Sequence, residues 1–101
     1  MSASFVFEFD TNNHYAMNSI SEPTKITKLR WSEATRTLIV DCEDGHSRLC
    51  RVDRLVNPDD KSVLADLLRL ARMGGRTVRF IASGNNNPNK WFCGFMTEGE
   101  V

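Results

Sequence analysis

The chain is predicted to be α+β: a strongly bent antiparallel β-sheet of five to six strands with one amphipathic helix packed on it. Three features predict this. A capped helical segment runs from Asn57 to Gly75 between runs of strand type; Asp44-Gly45 offers a tight turn between two of those runs; and the strand-like runs are joined by polar loops rather than further helices. With 101 residues, 41% apolar and 26% charged, one domain spanning residues 1–101 is expected.

Taken in order, Phe5-Val6-Phe7-Glu8-Phe9 places Phe5, Phe7 and Phe9 on one side at period two, the pattern of a half-buried strand. Residues 10–24, rich in Asn and Ser and ending at Pro23, read as a long connection with room for one helical turn around His14 to Met17. Lys25 to Trp31 alternates Thr27, Leu29 and Trp31 against Ile26, Lys28 and Arg30, and Thr37 to Glu43 continues as a second strand after the polar loop Ser32 to Arg36. Asp44-Gly45 then reads as a two-residue type I′ turn, which sets Glu43 opposite His46, Cys42 opposite Ser47, Asp41 opposite Arg48, Val40 opposite Leu49 and Ile39 opposite Cys50. On that register Leu38, Val40, Cys42 and Leu49 face the core. Ile39, Asp41, Glu43, His46, Arg48, Cys50 and Val52 face the other way, and Ile26 also falls on the less apolar side of its strand.

Asn57-Pro58-Asp59-Asp60 is a helix start, because an Asn side chain accepts from an orphan N–H, Pro suits the first helical position and acids suit the positive end of the dipole. The helix is expected to run to about Met73, with Val63, Leu64, Leu67, Leu68, Leu70 and Ala71 forming a broad apolar face and Gly74-Gly75 a left-handed cap. Arg76 to Ala82 and Trp91 to Met96 form the last two strands around the Asn-rich loop Ser83 to Lys90.

Composition excludes several functions. Thirteen basic residues balance thirteen acidic ones, so no overall field draws the molecule to nucleic acid or to an anionic membrane, and any polyanion site must be local. Between Lys25 and Val56 seven bases face five acids, a mild local excess. Three cysteines without C-x-x-C spacing imply free thiols, with neither a disulfide framework nor a zinc site, and the expected register puts Cys42 and Cys50 on opposite faces. There is no basic-then-apolar leader pattern and no run of about 20 apolar residues, so a cytoplasmic protein without a membrane partner is expected.

The order strand, strand, strand, helix, strand, strand from Lys25 onward resembles the connectivity of an OB-fold, a partly open barrel whose middle strands and loops bind oligonucleotides or sugars. That resemblance implies a binding face flanked by the loops Ser32–Arg36 and Ser83–Lys90, with Trp31 and Trp91 at their edges and Lys28, Arg30 and Arg48 nearby to meet phosphates. Asn85, Asn86, Asn87 and Lys90 add polar groups suited to reading a ligand. His46 beside the turn and Cys93 are the nearest approach to acid–base or nucleophilic groups, but neither has a partner at a catalytic spacing. The leading expectation is therefore a small non-enzymatic binding or interaction domain that self-associates as a dimer. The alternatives are an OB-like nucleic-acid module, a domain for another protein partner, and a small enzyme using His46 or Cys93; no cofactor or metal is implied.

Overall fold

The computed structural model describes residues 5–8, 18–52, 60–83 and 86–97. These form β1 (Phe5–Glu8), β2 (Asn18–Ile20), β3 (Thr24–Ser32), β4 (Thr37–Cys42), β5 (Ser47–Arg51), α1 (Asp60–Met73), β6 (Thr77–Ser83) and β7 (Gly94–Thr97). The α+β class is as expected. Six strands lie in the order β1-β7-β6-β3-β4-β5, every neighbouring pair antiparallel, and the short β2 shares one edge of β6 with β3. Ser21 fills the gap between β2 and β3: its N–H donates to the Phe80 carbonyl (2.8 Å), and its side-chain hydroxyl accepts the Phe80 N–H (2.8 Å).

The sheet bends without closing. A single parallel bridge, Leu49 to Trp91, tacks the free edge of β5 to the segment that leads into β7; the Leu49 N–H donates to the Lys90 carbonyl (2.8 Å) and the Phe92 N–H to the Leu49 carbonyl (3.0 Å). The open sheet agrees with the strongly bent antiparallel sheet expected from the sequence.

Two local features correct the expected faces. In β3 the register shifts between Ile26, opposite Cys42, and Lys28, opposite Asp41, so Thr27 is the extra residue of a bulge. The bulge breaks the period of two and turns Ile26 inward, where it is buried with Leu29 and Trp31 packed against the same core.

The second correction concerns the β4–β5 hairpin. Only Gly45 has a positive φ there (88°), the Gly45 N–H donates to the Cys42 carbonyl (3.1 Å), and the Cys42 N–H donates to the His46 carbonyl (3.1 Å). The loop thus has three residues, Glu43 to Gly45, in place of the expected two, with glycine in the left-handed position after the turn. Asp41 therefore faces Ser47, Val40 faces Arg48, Ile39 faces Leu49 and Leu38 faces Cys50. One residue of slip inverts every side chain of β5: Arg48, Cys50 and Val52 are buried, and Leu49 joins Ile39 on the outer face. Cys42 and Cys50 share the inner face after all, four residues apart along the hairpin and hence about 13 Å, and all three cysteines are free.

The core consists of Ile26, Leu38, Val40, Cys42, Cys50, Val52, Val78, Phe80, Phe92 and Phe95 from the sheet, closed by Leu64, Leu68 and Ala71 of α1. Phe80 and Phe92 meet edge to face at 5.0 Å. The expected Asn57-Pro58 start and the Phe5, Phe7 and Phe9 side chains lie outside the described residues, as does the turn expected around His14. At its other end α1 stops as expected: Gly75 has φ 62°, its N–H donates to Arg72, and the Arg76 N–H donates to Ala71, the paired bonds of a Schellman cap. The buried stripe is narrower than the expected apolar face, because Val63 and Leu70 remain exposed.

Candidate functional site on the outer sheet face

Residues directly paired across strands project from the same side of a sheet. Arg30 pairs with Ile39, Ile39 with Leu49, and Leu49 with Trp91, so these four form one row across β3, β4, β5 and the segment before β7. At 4.7–4.9 Å between neighbouring strands the row is about 14 Å long. Ile39, Leu49 and Trp91 are each half-buried, leaving a stripe of aliphatic and indole surface with a guanidinium at one end.

On one side of this row lie Lys28, Asp41 and Ser47, and on the other Ser32, Thr37 and Arg51. Asp41 is the one acid among these residues, and it is fully engaged. Arg30 donates to it from Nε (2.8 Å) and Nη2 (2.9 Å), and the Ser47 hydroxyl donates to Oδ1 (2.6 Å). The Arg30 bonds, then that of Ser47, hold the Asp41 carboxyl below the usual carboxylate range. With Arg30 and Asp41 neutralising each other, exposed Lys28 leaves this side of the row positive, and exposed Lys90 stands one residue before Trp91.

The Asn-rich loop builds this site from beneath. The Asn87 carbonyl accepts the N–H groups of Lys90 and Trp91 (both 2.9 Å), and its side-chain oxygen accepts the Asn89 N–H (2.9 Å). Asn87 thereby shapes the turn that presents the indole. Asn86 is exposed at the start of that turn, and Asn85 lies outside the described residues.

Arg48, expected on the surface, is completely buried, and it anchors the loop. Its guanidinium donates to both Asp44 oxygens (3.1 and 2.8 Å), to Asn89 Oδ1 (2.7 Å) and to the Pro88 carbonyl (3.1 Å), and lies 4.8 Å from the centroid of the Phe80 ring. A bidentate carboxylate, two further acceptors and an aromatic face are what a buried guanidinium requires. The Arg48 hydrogen bonds, ahead of opposing burial, hold the Asp44 carboxyl low.

The remaining expected site residues scatter. Trp31 lies on the inner side of β3, its indole N–H donating to Glu33 (2.6 Å) and its ring under Lys61 of α1 at 3.9 Å, so it shares no surface with Trp91. His46 is exposed at the hairpin turn, and Cys93 is half-buried where the chain enters β7. Burial pushes the Cys42 thiol up to about 11, which leaves it protonated and unreactive at neutral pH. Among the described residues no group of three or more His, Cys, Asp or Glu could hold a metal ion, and no helix is long and apolar enough to cross a membrane.

Of the apolar middle of the row, the sequence places Ile39 on the outer face but not Leu49, because the expected two-residue turn sends Leu49 inward. A three-residue loop at Glu43-Asp44-Gly45 puts Leu49 beside Ile39 on that face. Comparison with protein-family models, with curated proteins and with solved structures yields no match to this chain.

Proposed function

We propose that the protein is a small non-enzymatic binding domain and that its ligand is a single-stranded nucleic acid lying across β3, β4 and β5. The row Arg30, Ile39, Leu49, Trp91 is the observation that carries this reading. A solvent-facing sheet row is ordinarily polar, whereas this one offers a stacking surface at one end, an aliphatic floor in the middle and cations along the sides. Bases stack on an indole whatever their sequence, and phosphates are met by Lys28 and Lys90. At about 14 Å the row suits the short end of the roughly 4–16 nucleotides that such sheets cover.

The test is fluorescence anisotropy of a labelled single-stranded oligonucleotide titrated with the full chain at several salt concentrations. With two phosphate contacts the logarithm of affinity is expected to fall against the logarithm of salt with a slope of about −1.4. Trp91→Ala is expected to weaken binding by about 1–3 kcal/mol, one stacked base. Absence of binding at low salt, or binding indifferent to Trp91→Ala, refutes the assignment.

A further inference from the structure

The helix is held to the sheet along one flank. Lys61 sits over Trp31, the Arg72 Nε donates to the Thr27 carbonyl (2.9 Å), and Leu64, Leu68 and Ala71 are buried beneath. The other flank carries Val63, Leu67 and Leu70 at i, i+4 and i+7, with Met73 continuing the line. Val63 is 46% exposed, Leu70 63% and Met73 75%, while Leu67 is half-buried. Large apolar side chains exposed singly are ordinary, but a continuous line of them down one helix marks a contact surface.

The polar neighbours of the stripe indicate what covers it. Asp66 and Arg69, both more than half exposed, lie beside it and form an ion pair with each other at 2.8 Å. A two-fold contact must be self-complementary, since each residue meets its counterpart's surroundings twice. Opposite charges three residues apart on one helix satisfy that requirement when the axis passes between them.

We propose that this stripe is the contact between two copies of the chain, with α1 packed antiparallel against α1 of the second copy about an axis near Leu67. Val63 of each copy then lies over the Leu70–Met73 end of the other, and Asp66 of each meets Arg69 of the other, so that two local pairs become one four-charge network. The antiparallel arrangement also sets opposite ends of the two helix dipoles side by side. Four side chains supply much less than the roughly 800 Å² per partner of a standard interface, so the dimer is weak and forms with rising concentration. It uses neither the outer sheet face nor Trp91, and it stands whether or not that face binds nucleic acid.

Sedimentation velocity on the full chain from roughly 10 μM to 1 mM tests this. The weight-average mass is expected to rise from one protomer towards two. Leu70→Asp is expected to weaken association by about tenfold or more, with an unchanged circular dichroism spectrum; Met73→Lys replaces it should Leu70→Asp fail to fold. Asp66→Arg alone and Arg69→Asp alone should each weaken the dimer, and the double reversal should restore it, which a merely hydrophobic or misfolded contact would not do. A monomer throughout the range, a dimer indifferent to Leu70→Asp and Met73→Lys, or a double reversal no better than the single ones overturns the proposal.

Discussion

Asp44→Asn is expected to destabilise this protein more than Arg48→Met, although Arg48 makes the greater number of contacts. Asp44→Asn preserves shape and one acceptor but leaves a completely buried guanidinium with only neutral partners: the Asn89 amide, the Pro88 carbonyl and the Phe80 ring. Breaking a buried ion pair from one side costs about 3–5 kcal/mol. Because the Asp44 side chain is 29% exposed and the remaining acceptors are retained, about 3 kcal/mol is expected here, or roughly 12–24 °C in melting temperature for a domain of this size. Arg48→Met removes the cation itself. Asp44 then recovers solvent, Asn89 and Pro88 each lose one donor, and methionine packs on Phe80, for a cost of about 1–2 kcal/mol. The double variant should match Arg48→Met alone, a strong non-additivity expected of coupled neighbours. Urea or thermal denaturation of the four proteins decides the matter. If Asp44→Asn proves no worse than Arg48→Met, the ion pair is not what keeps the buried cation tolerable. The same pair sets a pH dependence: since the Asp44 carboxyl is held low in the fold, its contribution is present above the unfolded value of about 4 and is lost as pH falls through the folded value. Asp44→Asn should flatten that acid limb.

Three further outcomes follow from the outer face, the hairpin and the thiols. Asp41→Asn releases Arg30 from its neutralising partner, so affinity for a single strand should rise several-fold at low salt and the salt slope steepen by about 0.7; weaker binding would refute the assignment of Asp41 as the acid that restrains this face. Gly45→Val places a β-branched residue at φ 88° and should cost about 1–3 kcal/mol, although a Cβ there would meet no neighbour within 4 Å; an unchanged melting temperature would contradict the three-residue loop. All three cysteines should react with a thiol reagent in the unfolded, unreduced protein, whereas in the native protein Cys42, buried and with its pKa pushed to about 11, should be protected at neutral pH; rapid native labelling of Cys42 would show the core to be misassigned.

What the sequence revealed depended on how local each signal is. The C-terminal cap of α1 is written in Gly74-Gly75 and in the apolar spacing before it, all within a few residues, and it was readable for that reason. β2 was not, because Asn18-Ser19-Ile20 lacks alternation and becomes a strand only by pairing with the far end of β6. The bulge at Thr27 also leaves no local mark, yet it decides on which side Ile26 lies. In the candidate site Arg30, Lys90 and Trp91 were recognisable as chemical types, but the row that joins them needs a contact between residues 49 and 91, and the burial of Arg48 needs acceptors 40 and 41 residues away.

The hairpin shows how much turned on one residue. A two-residue turn exposes Arg48 and buries Leu49; the observed three-residue loop does the reverse. Gly45 therefore sets more than a turn. By its left-handed backbone it sends the guanidinium inward to hold the 86–90 loop, and the same step sends Leu49 outward to lie between Ile39 and Trp91. The buried anchor and the exposed apolar row are two consequences of one register, so a substitution that slips the hairpin should abolish both together, whereas Trp91→Ala should remove the row's stacking end and leave the anchor, and with it the melting temperature, nearly intact.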